Sequence, residues 1–176
     1  DYPAGFMLVA SMNPCPCGYY NHPTKECTCS QMQVQRYLSR ISGPLLDRID
    51  LQVEILPVPF RDLQDMQPGE HSGYIRARVV RAREIQAARF AGCPGVHSNS
   101  QMTPSMLARF ARPDQAAMAI LERVMVKYDM SARAYDRILK VARTIADLGG
   151  SETITTPHIT EAVSYRSLDR STWGLK

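Results

Sequence analysis

The sequence predicts a mainly α protein with a small α/β portion, and three observations carry that expectation. After position 95 the apolar residues recur at helical spacing. Before position 60 two short apolar runs read as strands. Between them lies an arginine-heavy stretch of helical composition. The expected division is residues 1–60 as the α/β piece with a cysteine-rich loop, 61–94 as connecting helix and linker, and 95–176 as a helical domain.

Phe6-Met7-Leu8-Val9-Ala10 is a short apolar run, read as a buried strand that ends at Ser11-Met12-Asn13-Pro14. Residues 14–30, rich in Pro, Cys, Gly and Asn, read as loop. Ser30 with Gln33 forms a capping pattern for a helix over 31–41, which Ser42-Gly43-Pro44 breaks. Leu51-Gln52-Val53-Glu54-Ile55 alternates as a half-buried strand does, and Pro57 and Pro59 stop it.

Residues 71–91 predict a helix on which Arg76, Arg78, Arg81, Arg83 and Arg89 do not share a side. That suits a solvated connecting helix better than a dedicated nucleic-acid surface. Ala91-Gly92-Cys93-Pro94-Gly95 reads as linker. Thr103-Pro104 starts a short helix, and Ala117, Ile120, Leu121, Val124, Met125 and Tyr128 mark an amphipathic one. Ser131 caps a helix running to Leu148 and closed by Gly149-Gly150, and Thr156-Pro157 opens a last helix with Ile159, Ala162 and Val163 inward.

Composition narrows the class. The 176 residues allow one domain or one and a half, with 44% apolar residues for a core and an ordinary 22% charged. No apolar run nears the roughly 18 residues of a membrane span, so a cytoplasmic protein with no membrane partner is expected. The opening Asp1-Tyr2-Pro3 lacks a basic and apolar leader, and the missing Met reads as a segment of something longer or as a removed tag or leader. The net charge of +4, mostly arginine, leans towards an anionic partner. Four of the five cysteines share one stretch, the pattern of a cytosolic site rather than a disulfide framework.

Three features point at phosphate. Asn13 closes the first strand, where ligands sit in a doubly wound sheet; alternatively it only forms a turn with Pro14. Arg48, directly before the second strand, has the planar, bidentate charge that suits a transferring phosphoryl group. The plain alternative is a surface Arg48 paired with Asp47 or Asp50. Arg133, Arg137 and Lys140 flank the apolar arc of the helix after Ser131 and could sense a phosphate. Alternatively, Asp136 with Lys140 and Arg143 with Asp147 are i, i+4 pairs on a solvated face. Separately, Cys15, Cys17, Cys27 and Cys29 offer four thiolates for tetrahedral zinc, with His22 or Cys93 as substitutes. The other reading is four reduced thiols on a loop.

The strings at 6–18, 27–30, 40–50, 131–139, 141–148 and 165–170 cover most of the chain. Among them are Ser11-Met12-Asn13-Pro14-Cys15-Pro16-Cys17-Gly18, Gly43-Pro44-Leu45-Leu46-Asp47-Arg48-Ile49-Asp50 and Ser131-Ala132-Arg133-Ala134-Tyr135-Asp136-Arg137. They resemble the magnesium-chelatase-like AAA+ ATPases of the bacterial ComM/YifB type. The resemblance implies the C-terminal part of an AAA+ module, with a remnant of the α/β core before a helical lid. It implies that Asn13 is the sensor-1 residue, Arg48 an arginine finger acting on a neighbouring subunit's ATP, and Arg133 the sensor-2 arginine, ahead of Arg137. It further implies ATP and magnesium as cofactors, a hexameric homo-oligomer, and DNA as a partner in branch migration during natural transformation.

One departure is sharp. The sequence contains no G-x-x-x-x-G-K-[ST] and no apolar run ending in Asp-Glu, so the phosphate cradle and magnesium carboxylate must come from outside these residues. This segment by itself is expected not to hydrolyse ATP. Two alternatives remain: a zinc-stapled helical module that binds nucleic acid or protein, and a porphyrin metal-chelatase motor subunit.

Overall fold

The computed structural model describes residues 6–58 and 68–166. Pro59 and the string Ser167-Leu168-Asp169-Arg170 lie outside the described residues. The molecule is mainly helical: the described residues form α1 (Gln31–Leu38), α2 (Gly43–Leu46), α3 (Ser72–Arg89), a 3-10 turn (Asn99–Gln101), α4 (Pro104–Phe110), α5 (Gln115–Lys127), α6 (Ala132–Leu148) and α7 (Thr156–Ser164).

Local chemistry explains the helix starts. Ser30 accepts from the Gln33 amide at 3.3 Å while the Gln33 side chain accepts from the Ser30 amide at 2.8 Å, a closed capping box. Thr103 accepts from the Met106 amide, and Ser131 accepts from the Ala134 amide at 3.2 Å. Pro104 and Pro157 occupy first-turn positions where no amide proton is needed. Gly150, at φ +69°, takes the left-handed conformation that ends α6. Ser42-Gly43-Pro44 does more than break α1, which stops at Leu38. It starts the single-turn α2, with Ser42 at the N-cap.

The main core lies among α4–α7. Leu121, Ile138, Ile154 and Ile159 are fully buried, and Ala117, Ala142, Ala146 and Ala162 let the helices approach closely. A β-bridge from Pro113 to Ile154 ties the α5 entry to the α7 entry, and the Asp114 amide donates to the Ile154 carbonyl at 2.9 Å. Between α3 and the 3-10 turn, Ala91, Gly92, Pro94 and Gly95 are exposed. The Cys93 amide donates to the Phe90 carbonyl, and Cys93 and Val96 touch the cluster. Tyr128, expected inward, is 42% exposed at the end of α5.

The two strand expectations fail among the described residues. Phe6, Met7, Leu8 and Val9 form no strand and are open to solvent, not buried, because no described strand ladders with them. At 51–55 the burial pattern inverts: Gln52 is 7% exposed while Leu51, Val53 and Ile55 face solvent. Two bonds hold Gln52 down. Its amide donates to the Tyr165 carbonyl at 2.8 Å and its side-chain nitrogen donates to the Leu46 carbonyl at 3.4 Å. Arg48 therefore follows a helical turn and precedes no strand.

Candidate nucleotide-facing arginines and a four-cysteine centre

The cysteine loop and α1 make a second, small core. Cys15 is fully buried beside Val34 and Leu38 of α1, with Cys17, Cys27, Cys29, Tyr20 and Tyr37 packed around it. The turn closes through the Gly18 amide on the Cys15 carbonyl at 3.1 Å, and Gly18 adopts φ +83°, where any side chain would be strained. The Tyr20 amide donates to Cys15 Sγ at 3.3 Å.

The sulfurs converge. Cys15 to Cys17 is 3.3 Å, Cys17 to Cys27 is 3.5 Å, Cys15 to Cys27 is 3.7 Å, and all four Sγ atoms lie within 4.8 Å of one another. A tetrahedron with metal–sulfur bonds of about 2.3 Å has edges of roughly 3.8 Å, so the set fits a tetrahedral thiophilic ion. A backbone hydrogen bond at Tyr19, helped by Cys15, Thr28 and Cys29 and opposed by desolvation, brings the Cys17 thiol down to about 5. For Cys27 a Cys29 backbone hydrogen bond pulls the other way, but desolvation, the Cys17 and Cys15 contacts and the Cys15 charge push it up to about 12. Cys29 is raised too: a backbone hydrogen bond to Cys17 opposes the shift, and desolvation with the Cys17 and Cys15 contacts outweighs it.

The substitute ligands are elsewhere. His22 Nδ1 accepts from the Thr24 and Lys25 amides at 3.2 and 3.1 Å, which occupies that nitrogen in its own turn. Cys93 packs on the main core. Asn13 is exposed, with its side chain 3.9 Å from where a Gly18 Cβ would stand, so it rests beside the cysteine turn.

Arg48 is exposed and, among the described residues, bonds only to backbone: its Nη1 donates to the Pro44 carbonyl at 2.8 Å. The anticipated ion pair with Asp47 or Asp50 is not made. Asp50 instead pairs with Arg137 of α6, and this engagement separates Arg137 from Arg133. Arg133, in the first turn of α6, is exposed and makes no ion pair among the described residues. Lys140 donates to the Ser100 carbonyl at 2.9 Å rather than pairing with Asp136; its pKa is lowered by burial and by the Arg137 charge.

The Arg143–Asp147 pair forms, Nε to Oδ1 at 3.0 Å, but it is buried rather than solvated. Arg89 from α3 reaches the same carboxylate with both terminal nitrogens, one at 2.7 Å. Asn99 Nδ2 donates to Asp147 Oδ2 at 2.8 Å, and Asn99 Oδ1 accepts from Arg89 at 2.8 Å. Arg143 also donates to the Glu152 carbonyl at 2.7 Å and to the Ser151 carbonyl. Thus Arg89 is no solvated helix arginine: it locks α3 onto α6. The signal was present, because Arg143 and Asp147 follow Ala142 and Ala146 on α6 and lie one and two turns beyond Leu139.

Residues 69–166 match the family model described as magnesium chelatase, subunit ChlI C-terminal, and residues 1–63 match magnesium chelatase, subunit ChlI. The chain belongs to the magnesium-chelatase-like family, of the YifB and ComM type. It is 43% identical over 170 residues to the uncharacterized protein YifB of Escherichia coli, covering 96% of this chain and 32% of that protein. Against the competence protein ComM of Haemophilus influenzae it is 42% identical over 171 residues, covering 97% of this chain and 32% of that protein. A Mycobacterium bovis relative, Mb2921c, is 36% identical over 165 residues, 94% of this chain and 32% of its own length. The chain therefore spans about a third of the relatives it matches. The family is one of AAA+-like ATPases. No helix among the described residues is long and apolar enough to cross a membrane.

Proposed function

We propose that in the whole protein these residues form the sensor, finger and lid part of a hexameric ring ATPase. Asn13 contacts the γ-phosphate side, Arg133 acts as sensor 2, and Arg48 reaches the ATP of the adjacent subunit. One observation carries the reading: among the described residues the exposed Arg48 guanidinium bonds only to the Pro44 carbonyl, makes no ion pair with Asp47, and has lost Asp50 to Arg137, so donors are left for a phosphate. Arg137's engagement with Asp50 favours Arg133 over it for the sensor-2 role. The bare apolar edges at 6–9 and 51–56 suit strands that join a sheet supplied by the nucleotide-binding part. Coupling hydrolysis to DNA remodelling is favoured by the likeness to a competence protein.

The test mixes two defective subunits in one ring, one carrying Arg48→Ala and one with its own ATP pocket disabled. Partial recovery of ATP turnover is the expected result, because each neighbour then supplies what the other lacks. Mixed rings no faster than the sum of the separate rings would remove the action across the interface.

The four-cysteine centre is proposed to hold one structural zinc, with Cys15, Cys17, Cys27 and Cys29 as ligands. When bound, zinc would supply no reaction step; it would staple the loop to α1 and fix the turn beside Asn13. Purified protein is expected to carry about one equivalent of zinc by elemental analysis, falling below roughly a tenth with Cys15→Ser. Near neutral pH the Cys17 thiol is already ionised while Cys27 and Cys29 hold protons, so zinc uptake releases protons and weakens as pH falls. Calorimetry in buffers of different ionisation enthalpy measures that release, and a pH-independent affinity would contradict the thiolate set.

A further inference from the structure

The segment bearing Arg48 is gripped by the helical lid on its C-terminal side. Arg166, buried at the end of α7, donates through Nη1 to the Ile49 carbonyl at 3.1 Å. The Gln52 amide donates to the Tyr165 carbonyl at 2.8 Å. Between these two backbone clasps, Asp50 pairs with Arg137 on α6, the helix whose first turn carries Arg133. Ile49, Asp50 and Gln52 are thus fastened to the lid at three points within four residues of Arg48, while Arg48 itself reaches back to Pro44.

We propose that Asp50 and Arg137 are a positioning pair that couples the lid helix to the Arg48 segment. This rests on the assignment of Arg48 and Arg133 made above. Arg133 lies one helical turn before Arg137 on the same rigid helix, so a shift of α6 produced by phosphate at Arg133 moves Arg137 and, through Asp50, the base of Arg48. The pair therefore links the position of the helix that carries Arg133 to the arginine offered to the neighbouring subunit. It is poorly placed to be a stability device, since the Asp50 side chain is 53% exposed and the Arg137 side chain 28% exposed. Geometry is a stronger role, because misplacing a catalytic group by about 1 Å costs on the order of 10²-fold in rate.

The test uses the whole ring-forming protein and four variants: Asp50→Arg, Arg137→Asp, the double exchange, and Arg48→Ala as reference. Each single charge reversal is expected to lower kcat about 10-fold or more with little change in KM for ATP or in melting temperature. The double exchange is expected to return kcat to within about threefold of the parent. In mixed rings the slowed site is expected to be that of the neighbour facing the variant subunit. Single reversals with full kcat, or reversals that the double exchange leaves unrescued, overturn the coupling. A rise in KM with Arg137→Asp that Asp50→Arg does not correct would make Arg137 a phosphate contact and overturn it too. If Arg48→Ala is itself without effect, the finger assignment fails instead, so the two failures are distinguishable.

Discussion

Alanine at Arg48 is expected to reduce ATP turnover of the assembled ring about 10³-fold or more, with ATP binding largely kept. The argument starts from what Arg48 does not do. Among the described residues its side chain bonds to the Pro44 carbonyl alone, and no carboxylate depends on it. Truncation therefore leaves no buried charge and opens no core, and melting temperature should hold. Lysine at the same position keeps the charge but loses the fork that can grip two phosphoryl oxygens, so Arg48→Lys should recover only part of the loss. Steady-state hydrolysis with a fluorescent nucleotide titration separates turnover from binding. Full turnover in Arg48→Ala would sink the assignment.

Asp147→Ala is expected to be the most damaging single change to the fold. The Asp147 side chain is fully shielded from solvent and holds two arginines, Arg89 and Arg143, together with the Asn99 amide. Removing one partner of such a buried set leaves uncompensated charge and costs about 3–5 kcal/mol. For a domain of this size that lowers the midpoint by roughly 10 °C or more, which thermal denaturation followed by circular dichroism measures. Burial already pushes the Arg143 guanidinium downward, with the Asp147 charge opposing, so taking the carboxylate away worsens its position. Arg89→Ala should be milder: its side chain is 13% exposed, and Asp147 would keep Arg143 and Asn99.

The helical part was legible because its signals are local. Ser30 with Gln33, Thr103 with Pro104, Ser131, and Gly149-Gly150 each satisfy or end a backbone ladder within one turn. The inner faces of α6 and α7 followed from spacing alone. The four cysteines were readable as a possible centre, but their spacing left open whether the sulfurs would converge, as they do, or stay apart on the loop. What failed was non-local. Whether residues 6–10 or 51–55 form strands depends on a laddering partner, which no residue within either run specifies. The Asp50–Arg137 pair joins residues 87 positions apart, and Arg89 meets Asp147 across 58. No window of sequence exposes those choices. The plain expectation of a solvated Arg143–Asp147 pair erred because the buried side of α6 is wider than its apolar stripe.

The bare run at residues 6–9 also governs how the molecule behaves in a test tube. Phe6, Met7, Leu8 and Val9 show 65–87% of their surface to water, next to backbone groups with no ladder. Such a stretch is a template onto which a second copy can add edge to edge, giving aggregates unrelated to any ring. Preparations of this chain by itself should grow turbid with concentration, and a lysine at Leu8 or Val9 should clear them without touching the helical core.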